Sequence, residues 1–322
     1  MNKFQRSWQL FKSSFSVMMT NKKLLVFPVL ITTVSIFIAL LFMTPIAFQK
    51  TGYGYGTAEH WSAVGNSFYS ESSAGSSVSS DNYQSTRHYR GGRGALHNIK
   101  PLALAYFAVT YFVSMFFATF CNVAFYREIM NALQGEAVSI RGGIRFACTK
   151  WKIILMWTLF AGAVGFIIKA LEERFGIVGQ WILRLLGTAW SIACVFVVPV
   201  IITEEETTNP LVVLKKSAMT LRSTWGESLV GYAGVSFGSA LVVLSSLFWL
   251  GGGIFIAVKL QSMLLGALVV ASWLGGVFIF SYLMSVASQI FRCALYLYAL
   301  QGALPQPYTQ EMVALAWKMK KG

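Results

Sequence analysis

Apolar residues gather into six long runs along this chain, and ahead of alternate runs the pattern changes to one apolar residue every three or four positions. The runs cover residues 24–48, 101–126, 153–168, 181–202, 229–250 and 263–291. A helix needs about 20 apolar residues to cross a hydrocarbon core of roughly 30 Å. Each run therefore predicts a transmembrane helix, the third being the shortest. The expected fold class is all-α: a polytopic membrane protein forming a single transmembrane domain over 1–322. Basic residues precede the first run as they would in a secretory leader, but the run is too long and no small-residue cleavage pattern follows, so it is expected to be retained as an anchor.

The shorter pattern is amphipathic. Phe4, Trp8, Phe11, Phe15 and Met18 fall on one face of a helix before the first run. Ile140, Ile144, Ala147 and Trp151 do the same before the third, and Leu211, Leu214, Ala218, Leu221 and Trp225 before the fifth. Thr208 or Asn209 can cap this last helix, with Pro210 suited to its first turn. Each stripe has Lys or Arg beside it. The organisation expected is a helix lying in the membrane surface followed by a transmembrane hairpin, three times over.

An internal repeat fits that plan. ALQG occurs at 132–135 and again at 299–302, and an ungapped alignment on it pairs YFVSMFFATFCNVAFYREIMNALQG with FIFSYLMSVASQIFRCALYLYALQG. Ser114 then falls on Ser281 and Asn122 on Gln289. Each ALQG lies where a hairpin leaves the membrane, its Gly suited to stopping a helix.

Composition agrees with a membrane protein: 56% of the 322 residues are hydrophobic, 12% are charged, and mean hydropathy is +0.60. The net charge of +14 raises the question of nucleic acid, but the basic residues flank the apolar runs rather than filling a soluble basic domain, so anionic lipid is the expected partner. Most of the 26 Lys and Arg fall on the side of the three stripes, which places both termini in the cytoplasm. Residues 49–100 form the one sizeable segment outside the runs. They are dense in Ser, Gly and Tyr, without the apolar periodicity of a core, and are expected to be mostly disordered.

Candidate chemistry is sparse. His60, His88 and His97 all lie in that segment, near Glu59 and Asp81, at spacings that fix no metal geometry, and surface histidines are expected. Cys121, Cys148, Cys194 and Cys293 form no CxxC pair. No paired Asp, HExxH, buried Ser–His or phosphate loop is present, so no catalytic residue, cofactor or metal is expected. Lys169, Arg184, Arg127 and Arg292 sit near the ends of runs, where long side chains reach headgroups. Gly231, Gly234 and Gly238 give the fifth run a small-residue face for close helix packing.

Two candidate sites remain. Trp8, Lys12, Arg141, Arg145, Trp151, Lys215, Lys216, Arg222 and Trp225, on the amphipathic stripes, are candidates for binding lipid or a protein partner. Ser114 and Asn122 on the second run, with Ser281, Ser285, Gln289 and Arg292 on the sixth, would make a polar seam if those faces meet.

With RSWQLFKSS, NKKLLVFPVL, VVPVIITEEETTNPLVVLKKSAMTLRSTWGE and ALYLYALQGALPQPY in view, the chain resembles a bacterial integral-membrane family, the domain-of-unknown-function 6159 family, over nearly its whole length. More distantly, the helix ending in Trp225 and Gly226 is similar to the membrane domain attached to some glycerophosphodiester phosphodiesterases. Neither resemblance brings a catalytic residue. The function expected is a non-enzymatic scaffold or accessory subunit of the bacterial inner membrane, binding anionic lipid and a protein partner or a second copy of itself. The alternative is a transporter or channel for a small or amphipathic solute, lined by the seam.

Overall fold

In the computed structural model of the protein, residues 3–69, 100–174, 177–204, 207–224, 227–302, 305 and 308 are described. They are helical, with no strand among them: α1 (Lys3–Thr20), α2 (Val26–Ala47), α3 (Ala58–Ser67), α4 (Pro101–Leu133), α5 (Ile140–Thr149), α6 (Trp151–Arg174), α7 (Ile177–Ala193), α8 (Val197–Thr203), α9 (Pro210–Thr224), α10 (Glu227–Lys259) and α11 (Met263–Gln301). Six stretches are long and apolar enough to span a membrane: Lys22–Ala47, Pro101–Leu133, Trp151–Glu172, Gly179–Thr203, Val242–Lys259 and Met263–Gln301. The chain is a multi-pass membrane protein.

Helix ends follow local chemistry. Gly135 and Gly302, the glycines of the two ALQG tetrapeptides, have φ of 80° and 66°, a left-handed conformation that glycine adopts without a Cβ clash. After α4 the Glu136 N–H bonds back to the Asn131 carbonyl, and after α11 the Gly302 N–H bonds to Tyr298. Ser139 caps α5 by accepting from the Gly142 N–H at 3.2 Å. Pro210 opens α9, and Asn209 Oδ1 accepts from the Leu211 N–H at 2.9 Å.

Several of the six runs differ at a boundary from the hydropathy reading. The fourth run is two helices, because the chain turns between Ala193 and Val197. The helices of the second, fifth and sixth runs, α4, α10 and α11, continue past those runs to Leu133, Lys259 and Gln301, because hydropathy marks the apolar stretch and not the end of helical hydrogen bonding.

The chain separates into two compact units. The first comprises Met1–Ile31, Thr119–Ile154 and Ile192–Gly322. In it α11 packs against α10, α1 and α9, and α8 packs against α9. The stretches preceding the two ALQG glycines are its interior: Val123 to Tyr126 and Glu128 to Met130 on α4, and Ile290, Phe291 and Cys293 to Leu297 on α11, are all buried. Phe27 stacks on Phe125 with ring centroids 5.2 Å apart.

The second unit comprises Thr32–Ala118 and Leu155–Ser191. Trp157 and Trp190 stack at 6.3 Å. Gly162 lies so close to Phe112 that an added Cβ would come within 2.6 Å of its ring. Here α3 departs from the expectation of a mostly disordered 49–100 segment. Thr57 caps α3, and His60, expected at the surface, is fully buried. Residues 70–99, with His88 and His97, lie outside the described residues.

Candidate functional site

The basic candidates all belong to the first unit. Lys12 on α1, Arg141 and Arg145 on α5, and Lys215 and Arg222 on α9 are exposed, as is Trp151 at the start of α6. Trp8 lies on α1, although its side chain is outside the described set, and Trp225 is outside the described residues.

Each of these helices also has a buried face, which shares one residue with the stripe read in the sequence: Met18 on α1, Ala147 on α5 and Leu221 on α9. On α1 it holds Ser13, Ser14, Val17 and Met18; on α5, Gly143 and Ala147; on α9, Val213, Ser217 and Leu221. Leu211, counted in the α9 stripe, is exposed. Small and hydroxyl residues take part because they let helix backbones approach and can satisfy polar groups. Hydropathy alone ranks larger apolar side chains above them. At Gly143 an added Cβ would stand 2.7 Å from the Ala124 carbonyl and 2.9 Å from Glu128 Cγ, so the backbones of α5 and α4 are nearly in contact.

Three polar devices tie these helices to their neighbours, and none of them is apparent from periodicity. Glu128, buried inside α4, accepts from the Ser139 N–H at 2.6 Å and from Asn131 Nδ2 at 3.4 Å, so a carboxylate sits at the N-terminal end of α5. On the adjoining residue, Lys23 Nζ donates to the Val138 carbonyl at 3.3 Å. Ser217 spans the break between α7 and α8: its hydroxyl donates to the Ala193 carbonyl at 2.6 Å and accepts from the Phe196 N–H at 3.1 Å. Both backbone groups lose their helical partners at the break, and a side chain from α9 replaces them.

Glu204, which follows α8, is the third. Lys216 Nζ lies 2.5 Å from its Oε1, and Lys150 Nζ donates to its backbone carbonyl. Lys216 is therefore engaged within the protein, whereas Lys215 beside it has no ion pair among the described residues. Arg127 lies 4.9 Å over the Phe146 ring, a further tie between α4 and α5.

Of the polar-seam candidates, Ser114 belongs to the second unit and the other five to the first. Ser281 and Ser285 are exposed, while Ser114, Asn122, Gln289 and Arg292 are half-buried. Gln289 Nε2 donates to Ser285 Oγ at 3.4 Å, and Gln289 Oε1 is buried without a hydrogen-bond partner among the described residues. The four cysteines are free, and no group of three metal-ligating side chains occurs among the described residues.

A Ser–Tyr contact closes the first unit near its C-terminal end: Ser14 Oγ and Tyr308 Oη are 2.7 Å apart and both buried. Burial pushes the Tyr308 phenol well above the usual tyrosine range, against the opposing pull of the Ser14 hydrogen bond.

No curated protein and no solved structure matches this chain, and nothing links it to glycerophosphodiester phosphodiesterases. The family match begins at α4, so RSWQLFKSS and NKKLLVFPVL precede it and the likeness does not extend over nearly the whole chain. Residues 101–305, from the first residue of α4 past the end of α11, match a family of unknown function (DUF6159), and the chain belongs to that family.

Proposed function

We propose that the protein is a non-enzymatic scaffold or accessory subunit of the bacterial inner membrane, with both termini cytoplasmic. It is built from three units of in-plane helix plus transmembrane hairpin. The observation that carries this reading is the two-sidedness of α1, α5 and α9. Each buries a face within the first unit and leaves basic side chains exposed, namely Lys12, Arg141, Arg145, Lys215 and Arg222. The helices collar the membrane helices and hold a positive surface against the inner leaflet. Near an anionic bilayer each basic residue contributes about 1 kcal/mol of attraction. Together the five recruit anionic lipid and orient a protein partner at the headgroup level.

The test replaces those five residues with Gln and keeps Lys216 paired with Glu204. Lipids and proteins that co-purify in native membrane discs are then quantified by mass spectrometry. Loss of anionic-lipid enrichment, together with loss of any stoichiometric protein, is the expected result. Unchanged lipid and protein recovery from a folded variant would rule the reading out.

A second reading, movement of a small or amphipathic solute, draws on Gln289, whose buried Oε1 is unpaired beside Ser285. Ser285→Leu with Gln289→Leu would then abolish flux, and normal flux through the folded double variant would discard it.

A further inference from the structure

We infer that residues 48–69 form an aromatic seat embedded in the headgroup–acyl boundary of the leaflet at the C-terminal end of α2. This surface is independent of the basic face proposed above. The segment starts at the residue after Ala47, where α2 ends. It returns to the next membrane helix through a hydrogen bond from the Lys100 N–H to the Phe68 carbonyl at 2.8 Å, one residue before Pro101 opens α4. The Phe68 and Phe107 rings meet at 5.4 Å. Tied to two membrane helices within a residue of their ends, the segment stays at the level where those helices leave the hydrocarbon.

Its interior is organised by His60. The Nε2 of the ring is 3.0 Å from the Ala47 carbonyl, which can only accept, so Nε2 carries the proton and caps one of the last carbonyls of α2. Nδ1 is 2.6 Å from the Thr51 hydroxyl. Around the buried imidazole runs a line of edge-to-face ring contacts: Phe48 to Tyr55 at 5.5 Å, Tyr55 to His60 at 5.1 Å, and His60 to Trp61 at 5.4 Å.

The outer faces of those rings are uncovered. Phe48, Tyr53, Tyr55, Trp61 and Tyr69 are each half or more exposed. The only charged residues between positions 48 and 69 are Lys50 and Glu59. A rigid, nearly uncharged patch of Trp and Tyr beside the ends of membrane helices matches the bilayer interface, where the apolar body of each ring enters the acyl boundary and its polar tip stays with the headgroups. A lipid interface is thus the occupant favoured by both the position and the chemistry of the patch.

The test uses the full chain in lipid nanodiscs, with exposed Cys148 changed to Ser and an environment-sensitive nitrobenzoxadiazole dye attached in separate preparations at Trp61→Cys and Tyr53→Cys. Nitroxides are placed on lipid headgroups, at shallow acyl carbons or at deep ones, with iodide as the aqueous quencher. Both dyes should be quenched several-fold more by headgroup and shallow nitroxides than by deep ones, and several-fold less by iodide than the free dye. A dye at either position quenched like free dye by iodide faces water and overturns the inference. Protection from nitroxides and iodide alike would mean that a protein or a second copy covers the patch, and would overturn it equally. Bromine-labelled lipids read against the fluorescence difference between the wild type and Trp61→Phe repeat the measurement without a dye. There the difference component must be quenched by shallow bromines.

Discussion

Replacing Ser217 with Ala removes one hydroxyl from a site with no solvent exposure and leaves two backbone groups unpaired. The Ala193 carbonyl loses its donor and the Phe196 N–H its acceptor, in a turn where neighbouring backbone groups are already committed: Val195 N–H to Ile192 and Val197 N–H to Cys194. An unsatisfied buried group costs about 1–3 kcal/mol. Hydrogen bonds between membrane helices average nearer ~0.6 kcal/mol because the unfolded chain in the membrane also finds partners. With two groups orphaned, the expected loss is about 2–4 kcal/mol. It is measured by equilibrium unfolding in mixed micelles, with Ser245→Ala as the control. Ser245 is exposed and, among the described residues, bonds only to the Val242 carbonyl three residues back in its own helix, so its loss should change stability by no more than about 0.5 kcal/mol. Hydrogen exchange adds a local readout, because the Phe196 amide should lose protection in Ser217→Ala and not in the control. If Ser217→Ala matched the control in both measurements, the hydroxyl would not be holding the break, and the account of how α9 meets α7 and α8 would fail.

Gly143→Ala places a methyl 2.7 Å from the Ala124 carbonyl and should destabilise by about 1–3 kcal/mol of overpacking, less up to ~1 kcal/mol of helix propensity gained. Gly276→Ala, with nothing within 4 Å, should be neutral or stabilising in the same unfolding assay. Glu128→Ala should orphan the Ser139 N–H and cost about 1–3 kcal/mol, seen as faster exchange at the start of α5. The Lys216–Glu204 pair is 41% and 29% exposed, so a double-mutant cycle with Gln at both positions should return a coupling of no more than about 1 kcal/mol. Tyr308 holds its proton more tightly when folded than when unfolded, so its contribution is intact below the unfolded tyrosine range near pH ~10 and is lost as pH rises beyond it. Unfolding measured from neutral to alkaline pH should show this decline, and Tyr308→Phe should flatten it.

The membrane helices are legible in the sequence because crossing a bilayer demands length and hydropathy and little else. Glycine helix stops are legible too, since Gly135 and Gly302 adopt a backbone conformation that other residues resist. The break at 194–196 is not, because hydropathy stays high through Cys194, Val195 and Phe196 and the residue that makes the break tolerable is Ser217, more than twenty positions away. Glu128 escapes for a similar reason: after Arg127 at the end of an apolar run it reads as a headgroup contact, and only the fold brings Ser139 to it. The segment around His60 carries one usable sign, Thr57 followed by Ala58 and Glu59, a helix start obscured by the Gly and Tyr residues before it. The α9 stripe guides only in part, because the face that packs is chosen by fit: of the stripe Leu221 is buried, Leu214 and Ala218 are half-buried and Leu211 is exposed. Val213 and Ser217, outside the stripe, are buried.

One helix, α11, is 39 residues long, about 58 Å at 1.5 Å per residue and nearly twice a hydrocarbon core. Its beginning is exposed at Met263, Leu264 and Phe278, whereas from Ile290 to Leu297 almost every side chain is enclosed by protein. Natural selection therefore acts on the two ends by different criteria. Near Met263 any sufficiently greasy residue will serve, so drift among Leu, Ile, Val, Phe and Met should be almost free. Near Cys293 and Tyr296 shape is constrained on all sides, and even an isomeric exchange of Leu for Ile must find room. Homologous chains should consequently diverge quickly along the first half of this helix and slowly along the second, and a saturation scan of α11 should reproduce that gradient within a single molecule.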